Sequence, residues 1–182
     1  GGTPLLALIN EVLDLARIEA GRLELVLEDV DPVAVLDQSL VLVKPLAGKR
    51  GIECIVDTAA DQSWWVKADP GRLKQVLLNL LSNAVKYNRD AGTLMVGMAK
   101  GEVGMLRISV SDTGPGIAPD RQQDVFEPFS RLGMEKSKIE GTGVGLSISR
   151  QLMESMGGTL DFKSEQGEGS TFWLEIPLVD TA

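Results

Sequence analysis

The stretch from Asp69 to Tyr87 constrains this chain more than any other. Asp69 followed by Pro70 is a helix start: the carboxylate can cap free backbone N–H groups, and proline carries the φ of a first turn. Leu73, Leu77, Leu80 and Ala84 then recur at helical spacing and define an apolar face. Asn79, Asn83 and Lys86 recur on roughly the opposite face, with Tyr87 beside them. An ordinary solvated face would carry Glu and Lys. Amides, an ammonium and a phenol in a row suit a polar ligand, since an Asn carbonyl is a neutral oxygen ligand for Mg²⁺ and a Lys holds phosphate as a point charge. From the helix alone, a half-buried face whose amides bond to neighbouring backbone fits equally well.

Two glycine-rich stretches lie downstream. Asp112-Thr113-Gly114-Pro115-Gly116-Ile117 follows an alternating strand pattern in which Leu106, Ile108 and Val110 share one face. Gly141-Thr142-Gly143-Val144-Gly145-Leu146 precedes a helical pattern through about Met156. Together with the helix, these stretches resemble the ATP-binding catalytic domain of sensor histidine kinases, in the GHKL group with gyrase B, the large heat-shock chaperone and the mismatch-repair ATPases. Asn79 to Tyr87 resembles the N box of that family, Asp112 to Ile117 its first glycine box, Phe126-Glu127-Pro128-Phe129 its F box, and Gly141 to Leu146 its second glycine box. Gly167-Glu168-Gly169-Ser170-Thr171-Phe172 resembles its last strand signature. Each is weak alone; all of them in this order are specific.

Composition sets outer limits. A chain of 182 residues accommodates one domain and a short appendage, and 43% hydrophobic content is ample for a core. A net charge of −8 and a pI near 4.6 argue against nucleic acid or an anionic membrane as the main partner, so a phosphate site here must rely on local donors and metal. The single cysteine, Cys54, sits in the apolar run Ile52 to Val56 without a Cys or His companion, and reads as a packed, inert thiol. No apolar run of membrane-spanning length or signal peptide is present, so the expected location is cytoplasmic, including the soluble part of a membrane-bound sensor.

In chain order, Pro4 to Ala20 reads as a helix with two adjacent seams: Leu6, Ile9, Leu13, Ala16 and Ala20, and Leu5, Leu8, Val12 and Leu15. That width suits a helical bundle and a homodimer, or alternatively a helix folded back on its own domain. The wording of this stretch also resembles the end of the second dimerisation helix in histidine kinases. The expected division is residues 1–21 as that helix end and 22–182 as the catalytic domain. Leu23 to Val30 reads as a strand, and Asp31-Pro32 starts a helix that Pro45 should kink or shorten. Ile52 to Val56 reads as a buried strand and Trp64 to Lys67 as a short one, with the Trp pair as packing. Thr93 to Lys100 and Met105 to Ser111 read as a hairpin, and Gly158 to Lys163 and Ser170 to Pro177 as a final antiparallel pair. The fold class expected is α+β: a two-layer sandwich, Bergerat-type in family terms, with helices on one face of a mixed sheet.

The chemistry centres on Asp112. A buried carboxylate only accepts hydrogen bonds, so it receives the exocyclic amine of adenine and opposes the carbonyl of guanine. The resemblance implies the same role. Gly114 and Gly116 would let backbone approach the base without a Cβ, beside Ile117. Gly141, Thr142, Gly143, Val144, Gly145 and Leu146 lead into a helix N-terminus that favours phosphate. Their spacing matches neither a dinucleotide fold nor a P-loop. Arg131 to Glu140 is polar and bounded by Gly133 and Gly141, which suits either a lid over the triphosphate or a plain surface loop.

The resemblance further implies that Asn83 coordinates Mg²⁺, that Lys86 and Tyr87 touch the phosphate chain, that Thr171 lines the pocket, and that Arg131 faces the γ-phosphate as the catalytic arginine. Asn79 stands where the hydrolysing relatives carry a glutamate. An amide cannot take a proton from water, which favours transfer to a protein side chain. The chain contains no histidine, although the family phosphorylates one on its first dimerisation helix. The expectation is therefore a catalytic fragment that binds Mg-ATP but cannot autophosphorylate. It would serve a histidine-bearing dimerisation domain of the same protein and then a response regulator receiver domain, with no nucleic acid and no direct membrane contact. Alternatives are a serine kinase of the anti-sigma-factor type and a GHKL ATPase module.

Overall fold

A computed structural model describes residues 24–58, 64–126 and 145–179. The Leu5–Ala20 seams, the lid stretch and Arg131 lie outside the described residues, as do Glu127 to Phe129 of the F box and Gly141 to Val144. Strand β1 (Glu28–Val30) leads into helix α1 (Pro32–Lys49), then β2 (Glu53–Asp57) and β3 (Val66–Ala68). Helix α2 (Pro70–Lys86), β4 (Thr93–Lys100) and β5 (Met105–Asp112) follow. A short 3₁₀ turn (Pro119–Asp124), helix α3 (Gly145–Ser155), β6 (Thr159–Glu165) and β7 (Gly169–Pro177) complete the described chain. The main sheet has five strands in the order β2-β4-β5-β7-β6, with β2 parallel to β4 and every other pair antiparallel. The expected α+β layering is what forms.

Helix α2 sits between α1 and α3 and packs over β5. Asp69 caps it, its Oδ1 accepting from the Arg72 N–H at 3.1 Å, while its Oδ2 accepts from the Val26 N–H at 3.0 Å. One carboxylate thus starts the helix and anchors the segment before β1. Leu73, Val76, Leu77, Leu80, Leu81, Ala84 and Val85 are buried. They meet the inward rows Leu94, Val96 and Met98 of β4, Leu106, Ile108 and Val110 of β5, and Leu174 and Ile176 of β7. Each large apolar side chain so buried contributes about 1.5–3 kcal/mol.

A second, two-stranded sheet pairs β1 with β3, and an isolated bridge joins Val66 to Leu178. Val66 therefore lies between Val30 and Leu178, near the two ends of the described chain.

Some expected elements differ. β1 is only Glu28–Val30, because it has no partner beyond β3. Helix α1 continues through Pro45 to Lys49. Val41 and Pro45 are both exposed, so the Val41 carbonyl loses its amide partner on the side where water can replace it. β2 is an edge strand, with Ile55 39% and Val56 37% exposed, whereas its parallel neighbour β4 is enclosed on both edges. Cys54 is half-buried, and burial pushes its thiol up, so it stays protonated and inert. Trp64 is buried, in keeping with packing, whereas Trp65 is exposed and does not join the core. No helix among the described residues is long and apolar enough to cross a membrane.

Leu77 is fully buried where α2 meets the sheet. Leu77→Ala should cost about 2–5 kcal/mol, read as a lower urea midpoint with an unchanged slope.

Candidate nucleotide site

A cavity of about 860 Å³ opens at the C-terminal end of α2. Its walls include Asn83, Lys86 and Tyr87 from α2, Val110 and Asp112 from β5, and Gly116 and Ile117 from the turn that follows. Leu146 of α3 and Ser170 and Phe172 of β7 complete the apolar side. The glycine turn and the amide-bearing helix, far apart in sequence, converge on one hollow.

Alternation along the strands decides which side chains reach it. Asp112 pairs with Ser170, and Val110 with Phe172, so these four share the helix-covered face. Ser111 pairs with Thr171 on the opposite face, where their hydroxyls lie 2.8 Å apart. Thr171, expected on the pocket wall, therefore points away, and Ser170 takes its place. Asn79 also falls outside the cavity wall formed by the described residues. It lies one turn before Asn83, and its Nδ2 donates to Ser149 Oγ of α3 at 2.9 Å.

Gly114 and Gly116 are required by close approaches within the protein itself. A Cβ on Gly114 would lie 2.0 Å from the Tyr87 carbonyl oxygen, and one on Gly116 would lie 2.2 Å from that of Glu165. Gly116 also has φ +71°, which L side chains rarely adopt. The glycines let the turn press against the end of α2 and the end of β6. Gly116 lines the cavity, whereas Gly114 is buried behind it.

Asp112 Oδ1 accepts from the Gly114 N–H at 2.9 Å, so the side chain also caps the turn that follows β5. It does not exclude the cavity role, since Asp112 lines the wall as well. Burial pushes its carboxyl above the ordinary value, partly offset by backbone hydrogen bonds involving Gly114 and Ser170.

The Ile117 and Phe172 side of the hollow is reinforced by groups that sequence patterning missed. The Ile117 N–H donates to Ser164 Oγ at 2.8 Å, and Ser164 Oγ lies 2.8 Å from Ser170 Oγ. Gln122 Nε2 donates to the carbonyls of Ile117 (3.0 Å) and Ser164 (3.2 Å). Phe126, Phe162 and Phe172 form an aromatic cluster, with Phe162 and Phe172 stacked at 5.4 Å and Arg150 over the Phe126 ring at 4.4 Å. Phe126, the first residue of the F box, thus packs behind the wall that Phe172 presents. The phase of Ser170 and Phe172 follows from their pairing with Asp112 and Val110, which no local pattern reveals.

The family model for histidine kinase-, DNA gyrase B-, and HSP90-like ATPases matches residues 68–180. The chain belongs to this family. The virulence sensor protein BvgS of Bordetella bronchiseptica is 40% identical over 178 residues, which cover 96% of this chain and 14% of BvgS. The sensor protein GacS of Pseudomonas syringae pv. syringae is 38% identical over 178 residues, covering 96% of this chain and 20% of GacS. The chain thus spans a small part of these relatives. Full-length ShkA, solved in complex with AMPPNP, superposes with a TM-score of 0.85 at 39% identity over 98% of this chain and 36% of ShkA. The mycobacterial sensor histidine kinase MprB gives a TM-score of 0.74 at 31% identity, over 83% of this chain and 98% of that one.

The pH dependence of Asp112 has a definite sign. Its raised value means that the folded chain holds the proton more tightly than the unfolded one, so this group costs stability once it ionises. The cost vanishes as pH falls through the folded value toward the ordinary 3.8. Asp112→Asn keeps an oxygen acceptor for the Gly114 N–H and carries no charge. At neutral pH, with no nucleotide added, the variant should be at least as stable as wild type in urea denaturation. The difference should close in the acid range.

Proposed function

We propose that this chain is the ATP-binding catalytic domain of a sensor histidine kinase, and that residues 22–182 form that domain. In this reading Asp112 accepts the adenine amine, while Val110, Ile117, Leu146 and Phe172 enclose the ring. Lys86 and Tyr87 meet the phosphate chain, the turn Gly141 to Gly145 ahead of α3 favours the phosphates, and Arg131 meets the γ-phosphate by the family resemblance. The observation that carries the proposal is the convergence of Asp112 and Asn83 on a single cavity. The ShkA complex with AMPPNP supports it by likeness.

Magnesium fits the donor set. Among the described residues no three His, Cys, Asp or Glu side chains gather as a metal site. Mg²⁺ that arrives with a nucleotide needs few protein ligands, keeping water and phosphate oxygens as the rest. The Asn83 amide on the cavity wall is the group that would hold it, and the ion would neutralise the phosphate oxygens. The protein residues then bind, orient and exclude water.

The acceptor is a histidine supplied by a dimerisation domain of the parent protein, since this chain has none. A response regulator receiver domain would take the phosphate next. Asn79 supports transfer over hydrolysis, because a neutral amide engaged with Ser149 cannot act as a base toward water. The site itself faces the compartment that holds ATP, which for a sensor is the cytoplasm.

Mixing the chain with Mg-ATP and a separate histidine-bearing helical hairpin should give acid-labile phosphate on the hairpin. Acid-stable phosphoserine on a partner would favour the serine-kinase alternative, and rapid ATP turnover without any partner would favour an ATPase. Calorimetry should show Asp112→Asn binding ATP far more weakly; unchanged affinity would remove the adenine contact.

A further inference from the structure

Arg50 belongs to none of the motifs that mark the site, yet its guanidinium closes the carbonyl end of α2. Nη1 donates to the Val85 carbonyl and, at 3.2 Å, to that of Lys86, and Nη2 donates to the Asn88 carbonyl at 2.6 Å. Nε donates to Asp90 Oδ1 at 2.8 Å. Arg50 also lines the cavity, together with Lys86 and Tyr87.

This placement answers an electrostatic difficulty. Phosphate is favoured at a helix N-terminus, where N–H groups are free. Asn83, Lys86 and Tyr87 instead project from the last turn of α2, where the carbonyl ends of the aligned peptide dipoles place roughly half a negative charge. A phosphate chain drawn in by Lys86 would approach the repelling end of the helix dipole. A guanidinium seated on those carbonyls offsets that charge, and its planar fork reaches several acceptors at once, which an ammonium cannot do with the same rigidity. Asp90 opposes it only weakly, since its side chain is 81% exposed and screened by water. The same bonds fix the backbone that carries Lys86 and Tyr87.

We infer that Arg50 is a positioning residue for the nucleotide phosphates, neutralising the carbonyl end of α2 and holding Lys86 and Tyr87 in place. The inference rests on the nucleotide reading above. Its test is the affinity of this chain and of Arg50→Gln and Arg50→Lys for ATP, ADP, AMP and adenosine, by calorimetry at low and high salt. Arg50→Gln should weaken ATP on the order of tenfold, with a smaller loss for ADP and AMP and none for adenosine. The loss should shrink in high salt, and Arg50→Lys should recover part of it. An equal loss for adenosine and ATP would reduce Arg50 to a structural cap, and no loss for either would remove the role altogether. A wild-type chain that bound none of the four would instead overturn the nucleotide reading itself.

Discussion

The structure depends on how closely the turn after β5 can approach the end of α2. At Gly114 there is no room for a Cβ, because the Tyr87 carbonyl oxygen would lie 2.0 Å away. Asn88, buried at the junction, ties the pieces together: its Nδ2 donates to the Thr93 carbonyl at 2.9 Å, and its Oδ1 accepts from Thr113 Oγ1 at 3.0 Å and from the Arg89 N–H at 2.9 Å. Arg89 adds bonds to the carbonyls of Thr113 and Gly114. The end of the helix, the start of β4 and the glycine turn are therefore one hydrogen-bonded unit. Asp112 and Lys86 face the same space because of it.

That unit is built for a ligand at some cost to the fold. A half-buried carboxylate whose burial raises its proton affinity is a poor choice for stability alone. The cost is borne by the apolar layer beneath, where α2 lays Leu73, Leu77 and Leu80 against β4 and β5. The aromatic cluster of Phe126, Phe162 and Phe172 backs the Phe172 side of the cavity. A stiff wall holds the hydrogen-bonding edge of Asp112 at a fixed place on the cavity wall.

Much of this was legible from residue order. The Asp69-Pro70 start, the leucine spacing of α2 and the two hairpins follow from capping, period and turn chemistry, and each formed within a residue or two. The convergence of Asn83 and Asp112 was legible only through resemblance, because no local pattern brings distant segments together. Thr171 failed where the phase of a strand mattered: one position along β7 separates the wall from the outer face, and the phase is fixed by pairing with β5. Pro45 did not shorten its helix, because a proline can sit inside a helix when the carbonyl it orphans faces water. Arg50 left no local trace at all, since all but one of its partners are carbonyls, which every residue carries.

The bridge at Val66 has a mechanical corollary. Val30 and Leu178 flank the same residue of β3 on its two edges, so the first and last described segments run in the same direction with one strand between them. Val179 reinforces the exit by donating to the Trp65 carbonyl at 2.8 Å. Drawing Val30 and Leu178 apart would therefore load this small clasp before it reached the five-stranded sheet and its cavity.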